Sequence, residues 1–423
     1  MNGRPMENHG LPVYLFHPAF SRFQHTLADR NVVLTAADYA ETHKYISVSA
    51  ELYDSEQLRQ KAILNSLNAA IHFDLLGINL DGTTPDGSIV TPTADNHNAI
   101  AVFYEFKDEI GMGNSDPAIQ GPLSYRKAWV ADERSSIRHS CCCPSFILAV
   151  AGPWMCILGA VFTETVLVQQ LTDYVWTGGN PYDDKGLESV ARLFKALFIG
   201  LQDLKMFYSN LAAAPAPDIQ RMFPFTRSYL DSRSQKVNFR YIRRLSESKA
   251  VYVAENASGH ELIVKFVQRY NLHAHRLLAS HNLAPHLHYS NLDDAEMNIM
   301  GGLGVVIMDF IRGSQAYELY PNMRLPDAVY DRVKQAVDIL HAQSIVFGDL
   351  RLPNIMITGQ QTPMLVDFDW CGTHATDRYP PRLNDSRSIT WHPDVARNGV
   401  MFKEHDVFML KVMQPDHSMD LSG

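Results

Sequence analysis

The sequence predicts two domains: an α/β domain in the first half and an α+β domain in the second. Three observations carry this. At 423 residues the chain exceeds what one hydrophobic core usually serves. A stretch rich in Ala and Pro and without apolar periodicity, residues 210–225 ("NLAAAPAPDIQRMFPF"), interrupts it near the middle. From Phe239 the pattern changes to short β-type runs joined by turn-like stretches. The expected division is therefore 1–210 and 225–423, with a linker over 211–224.

Composition narrows the class before any motif does. With 46% hydrophobic and 20% charged residues the chain reads as a soluble globular protein. A net charge of -9 argues against a protein built mainly to coat nucleic acid. The opening "MNGRPMENHGLPVYLF" has no apolar core of the length a secretory signal needs. Five cysteines, with Cys141, Cys142 and Cys143 consecutive, make no disulfide framework. A reducing, intracellular setting is expected, cytoplasmic or nuclear.

In the first half, residues 83–125 hold the informative pattern. Asp86 follows Pro85, a strand-like run ends in Glu105-Phe106-Lys107, and Gln120 and Tyr125 fall on an expected helix. Asp86 and Glu105 on neighbouring strands can converge on one Mg²⁺, with Lys107 facing the same side as Glu105. Such a metal polarises a phosphodiester and lowers the pKa of an attacking water, while the lysine steadies developing charge. Glu51 or Glu56, on an earlier helix, are candidates to complete the shell, and Asp95 is an alternative first carboxylate.

Residues 141–162 ("CCCPSFILAVAGPWMCILGAVF") carry no charge and are about long enough to cross a bilayer. The turn formers in "GPW" divide them into two runs of the length of buried strands, so two strands are expected and no membrane span. Between 186 and 208, Val190, Phe194, Leu197, Leu201 and Leu204 recur at three- and four-residue steps, which predicts an amphipathic helix.

The second half reads as "FRYIRRL", "KAVYVAEN" and "ELIVKFV" strands, a helical segment with Leu272, Leu277 and Leu278, and a strand "GVVIMDFI" ending near Asp309 and Gly313. A helix over 327–343 follows, then "IVFGDLRLPNIMI" and "MLVDFDW". Singly, a Lys at a strand end or an Asp in a loop is usually a solvated charge or a turn residue. Together, in this order and at these intervals, they call for a joint reading.

Residues 237–412 thereby resemble the protein-kinase-like superfamily, nearest to fungal kinase-like proteins carrying "FGDLR-x-PN" and "DFDW". The resemblance implies a bilobal, minimal kinase-like domain that uses ATP and Mg²⁺ to phosphorylate a Ser/Thr hydroxyl on a protein or another acceptor. It implies Asp349 as base, Asn354 and Asp367 as Mg²⁺ ligands, and Lys265 on the α- and β-phosphates. Arg351 stands in place of the usual lysine, Asp309 falls at the hinge that holds the nucleotide, and Asp406 braces the catalytic loop. The sequence departs from the pattern in three places. Phe347-Gly348 replace His-Arg, residues 245–253 contain no glycine, and residues 266–284 contain no acid to pair with Lys265. His273 or His275 occupies that last region.

Residues 50–175 resemble the PD-(D/E)xK nuclease fold, a restriction-endonuclease-like mixed sheet with flanking helices, as found beside kinase-like domains in fungal Crinkler-type proteins. That resemblance implies nucleic acid as a second partner, cut by Asp86, Glu105, Lys107 and Gln120. A kinase-shaped scaffold that binds nucleotide without turnover is the other reading of the second half. Adjacent cysteines are poorly placed to bind one zinc tetrahedrally. His286 and His288 in "APHLHY" have no carboxylate or cysteine spaced nearby, so ordinary loop histidines are expected.

Overall fold

The computed structural model describes residues 10–76, 85–111, 116–180, 182–212, 214, 216–293, 301–384, 386 and 389–415. Residues 83, 84 and 112–115 of the 83–125 stretch lie outside it, as do residues 1–9. The described chain is mixed helix and strand and divides at Arg227/Ser228 into two compact units, with Gly301 and Gly302 grouping with the first.

The first unit opens with helices α1 (Pro18–Ala28), α2 (Ala36–Ala50) and α3 (Glu56–Ile71). Local chemistry starts each one: Thr35 and Asp38 form a reciprocal capping box on α2, and Ser55 caps α3. Strands β1 (Gly87–Pro92) and β2 (Asn98–Lys107) form an antiparallel pair. Helix α4 (Pro117–Val130), capped by Asp116 with Pro117 in its first turn, and short α5 (Ser135–Ser140) lead to β3 (Ser145–Ala151). Strand β3 lies parallel to β2, so α4 is the crossover that a parallel pair requires.

Strands β4 (Trp154–Phe162), β5 (Val166–Gln170) and β6 (Val175–Trp176) finish the sheet, whose order is β1-β2-β3-β4-β5 with β6 on β4. The uncharged 141–162 segment is thus two paired, buried strands. They turn at Gly152, whose φ of +56° and whose Cβ position, 3.0 Å from the Asp108 carbonyl, leave no room for a side chain. Among the described residues no helix is long and apolar enough to cross a membrane. The three adjacent cysteines are buried thiols just before β3.

Helix α6 (Asp184–Ser209), capped by Asp183, buries Val190, Phe194, Leu197, Leu201 and Leu204, each worth about 1.5–3 kcal/mol of transfer free energy. The stretch after it, expected as a linker, is tied to the first unit. Asp218 N–H donates to the His139 carbonyl at 2.9 Å, Arg221 Nη1 to Phe162 at 3.0 Å, and Phe225 N–H to Leu15 at 2.9 Å. Ala and Pro content reports backbone stiffness, not where the intervening donors find partners.

The second unit begins with a six-stranded antiparallel sheet. Its strands are β7 (Ser228–Leu230), β8 (Lys236–Arg244), β9 (Val251–Asn256), β10 (Glu261–Val267), β11 (Leu287–Ser290) and β12 (Gly304–Asp309). The order is β11-β12-β10-β9-β8-β7, which centres Lys265 on a strand flanked on both sides. Helix α7 (Leu272–Ser280) lies between β10 and β11 in sequence.

After β13 (Gly313–Gln315) and α8 (Ala316–Leu319), helix α9 (Asp327–Ala342) buries Val329, Val333, Val337 and Leu340. Short strands β14 (Ile345–Val346), β15 (Ile355–Thr358), β16 (Pro363–Leu365) and β17 (Gly372–Thr373) precede α10 (Lys403–Val412). Pairing of β14 with β17, and of β15 with both β13 and β16, holds the loops that follow β14 and β16.

Candidate functional site

In the second unit, an aspartate follows each of two short apolar strands. Burial of Ile345 and Val346 fixes β14, so the chain leaves it as a loop through Gly348 and Asp349. Asp406, buried on α10, accepts the N–H groups of Phe347 at 2.7 Å and Gly348 at 2.9 Å, with His341 Nε2 at 3.0 Å on the same carboxylate. Gly348 has φ +80°, and a Cβ there would stand 2.4 Å from Met401 Cε and 3.1 Å from the Trp370 carbonyl oxygen. Glycine at this place is therefore a backbone requirement of the loop.

Asp349 and Asn354 are both buried and joined: Asn354 Nδ2 donates to the Asp349 carbonyl and to its Oδ2, each at 2.8 Å. That use of the amide nitrogen leaves Asn354 Oδ1 as the atom that could hold a metal. Arg351 grips the same carboxylate in a fork, with Nη2 2.8 Å from Oδ2 and Nε on Oδ1, and its guanidinium lies 5.4 Å over the Trp391 ring. Burial raises the Asp349 carboxyl above its usual value, and Arg351 offsets part of that.

Asp367 follows β16 in a left-handed conformation, φ +69°. Its Oδ1 meets Lys265 Nζ at 2.5 Å and its Oδ2 meets Lys249 Nζ at 2.7 Å. Burial pulls Asp367 upward, but the two ammonium groups more than reverse this and hold it well below the usual carboxylate range. Lys265 also bonds Asp369 Oδ1, so this buried lysine bridges both aspartates of "DFDW". Burial, with Asp367 adding to it, pushes Asp369 up to about 7 against the opposing pull of Lys265.

These groups line one cavity of about 450 Å³. Its lining includes the polar side chains of Lys249, Lys265, Arg351, Asn354 and Asp367 and the apolar ones of Val251, Ile263, Met308, Met356 and Val366. Lys265, Asn354 and Asp367 thus converge on one cleft, with Asp349 bonded to two of its lining residues. Asp309 also lines the cleft, but its carboxylate is engaged by His288 and His260.

Sequence reasoning missed two members. Lys249 comes from the glycine-free 245–253 loop, whose turn is held by Ser246 Oγ accepting the Lys249 N–H at 3.1 Å. Asp369 supplies the acid that residues 266–284 lack. The second aspartate of "DFDW" was the available signal for it. His275 does not take that part: it is buried between the Tyr270 hydroxyl at 2.9 Å and the Pro285 carbonyl at 2.8 Å.

In the first unit, Asp86 immediately precedes β1 and accepts the Phe106 N–H at 2.7 Å, which sets it beside Glu105. Glu105 is buried; its Oε1 accepts from Ser124 Oγ at 2.6 Å, while its buried Oε2 has no hydrogen-bond partner. Burial, reinforced by Asp86, pushes Glu105 up to about 7 against Ser124 and nearby Lys107. Gln120 is on α4, next to Gly121, whose Cβ position lies 3.5 Å from Glu105 Cγ.

The remaining candidates of that unit lie elsewhere. Tyr125 spends its hydroxyl on the Cys143 carbonyl at 2.9 Å. Asp95 sits in the β1–β2 hairpin turn, at the far end of the strands from Glu105. Glu51 follows α2 and takes the Tyr53 hydroxyl at 3.2 Å, and Glu56 opens α3.

No protein-family model matches the chain. Among solved structures, the kinase PK-1 of Cydia pomonella granulovirus is similar in part. It is 18% identical with a TM-score of 0.33, over 41% of this chain and 65% of that one. The chain therefore spans less than two thirds of that kinase's length.

Proposed function

We propose that the second unit is an ATP- and Mg²⁺-dependent phosphotransferase of the protein-kinase-like type, acting on a Ser/Thr hydroxyl of a protein or another hydroxyl acceptor. One observation carries the reading: Lys265, Asn354 and Asp367 line a single cavity together with apolar side chains, and Asp349 is bonded to Asn354 and Arg351 of that lining. The donor set suits the metal, since Asn354 Oδ1 and the Asp367 carboxylate are hard oxygens. Mg²⁺ held there supplies charge neutralisation on the phosphates.

The chain's own residues do the rest. The apolar walls take the adenine ring, and Lys265 and Lys249 bind phosphate oxygens once they are exchanged from Asp367. Asp369 keeps Lys265 aimed into the cavity. Asp349 orients the acceptor hydroxyl and takes its proton, and Arg351, whose Nε and Nη2 hold Asp349, offers Nη1 to the transferred group. Incubation with γ-labelled ATP and Mg²⁺ tests this, with Asp349→Asn and Asp367→Ala alongside. Label on wild type alone is expected; equal label on all three would sink the proposal.

A second reading, for the first unit, is Mg²⁺-dependent cleavage of nucleic acid by a PD-(D/E)xK nuclease-like site. It is supported by the buried, unpartnered Oε2 of Glu105 beside Asp86, with Lys107 near enough to act on its charge. Gln120 neighbours Gly121 on the crossover helix α4, and the Cβ position of Gly121 lies 3.5 Å from Glu105 Cγ. Nicking of DNA or RNA that Glu105→Ala abolishes is expected; no cleavage with either Mg²⁺ or Mn²⁺ would remove the reading.

A further inference from the structure

At the ends of β10, β11 and β12, side chains meet that sequence spacing kept apart. His260 precedes β10, His288 lies on β11 and Asp309 ends β12. Asp309 Oδ1 is hydrogen-bonded to His288 Nε2 at 2.5 Å, and His260 Nε2 lies 3.2 Å from the same oxygen. The three ligand-type atoms lie within 4.8 Å of one another, and among the described residues no other group of three His, Cys, Asp or Glu does so. The expectation that His288 has no carboxylate partner is overturned, because the partner is reached through strand pairing.

The backbone holds all three in place. Asn256 Oδ1 accepts the His260 N–H at 2.9 Å and fixes the turn before β10. The Asp309 N–H donates to the His286 carbonyl at 3.0 Å, and the Phe310 N–H to Glu261 at 3.2 Å, so β11 and the start of β10 are both bonded at the end of β12. Both imidazoles present Nε2 inward, and all three side chains remain partly exposed, so an ion has an entry path.

We infer that His260, His288 and Asp309 form a binding site for a divalent cation of the zinc class, clamping the ends of β10, β11 and β12. Two imidazoles and one carboxylate are a donor set for Zn²⁺, whereas Mg²⁺ prefers oxygen alone. Bonds of about 2.0–2.2 Å in a tetrahedral site put neighbouring donors about 3.3–3.5 Å apart. The His260–Asp309 spacing of 3.2 Å is already there, and the His288–Asp309 pair opens by about 1 Å as its hydrogen bond is exchanged for metal bonds. Three protein ligands leave a fourth position, which water fills. On binding, each Nε2 proton moves to Nδ1 or, from an imidazolium, to solvent, because only the deprotonated nitrogen ligates. The site stands whether or not the cavity transfers phosphate.

The test uses tag-free protein stripped with EDTA. Zn²⁺ is titrated by calorimetry and Co²⁺ by visible absorption, for wild type, His260→Ala and His288→Asn. Wild type is expected to take up a single equivalent, with Co²⁺ bands of four-coordinate intensity that excess Mg²⁺ does not remove. Each variant is expected to lose more than about 100-fold in affinity. Zn²⁺ should raise the melting temperature of wild type and not of His260→Ala. His260 is half-exposed in a turn, so that variant alone decides the matter if His288→Asn does not fold. No stoichiometric uptake, or uptake unchanged in His260→Ala, overturns the proposal.

Discussion

Replacing Gly348 by arginine, the residue that the resemblance to protein kinases would put here, is predicted to damage this protein. With φ at +80°, any side chain pays the left-handed backbone penalty of about 1–2 kcal/mol. The new Cβ would also stand 2.4 Å from Met401 Cε and 3.1 Å from the Trp370 carbonyl oxygen. The Met401 methyl can swing aside, but the carbonyl belongs to the backbone, and crowding of this kind costs about 1–3 kcal/mol. Gly348→Ala should therefore fall near 2 kcal/mol and Gly348→Arg toward about 5 kcal/mol. Because the Gly348 N–H is one of the bonds tying the loop to Asp406, the strain reaches Asp349 directly. The assay is urea denaturation by tryptophan fluorescence, with hydrogen–deuterium exchange of residues 345–357 assigning the transition to the second unit. Stability of Gly348→Ala within about 0.5 kcal/mol of wild type, or faster phosphate transfer in Gly348→Arg, would refute the reasoning.

Other outcomes follow from the same geometry. Asp369→Asn leaves Lys265 with Asp367 as its remaining carboxylate partner, so kcat/KM for ATP should fall by about 10–100-fold while stability at neutral pH changes little; a change within about twofold would contradict this. His275 is held neutral by burial, its pKa lowered from 6.5 to about 4, so the unfolded chain binds its proton first as pH falls. The stability it protects is fully present above pH 6.5 and is lost between 6.5 and 4, up to about 3 kcal/mol. His275→Asn should flatten that part of the urea midpoint–pH profile, and an unchanged slope would count against it. Glu105, pushed up to about 7 by burial, costs stability once ionised, so Glu105→Gln should unfold at higher urea than wild type at pH 8, by about 1–3 kcal/mol. A lower midpoint would mean that Glu105 is compensated in a way its bonds do not show.

What was legible in the sequence was local. The two apolar halves around "GPW" are β3 and β4, and the three- and four-residue steps from Val190 to Leu204 are the buried face of α6. The interval from Asp349 to Asn354 is local too: one turn spans it and two hydrogen bonds of the Asn354 amide close it. Long-range partners were not legible. Lys249 meets Asp367 across 118 positions, Lys265 meets Asp369 across 104, and His288 meets Asp309 across a strand pair. Periodicity says which face of a strand is buried, but register decides which side chains touch, and no local pattern encodes it. The stretch after α6 misled for a related reason: its composition suggested a free tether, while its backbone donors are spent on His139, Leu15 and Ser136.

The most direct test of the central claim is single-turnover phosphate transfer at saturating ATP and Mg²⁺, measured with ATP affinity on the same samples. For Asp349→Asn the account predicts ATP affinity close to wild type with a transfer rate lower by about 10²–10⁴-fold, because Asp349 acts on the acceptor and not on the nucleotide. Equal transfer rates in wild type and Asp349→Asn, or a wild type that neither binds ATP nor moves its γ-phosphate, would contradict it.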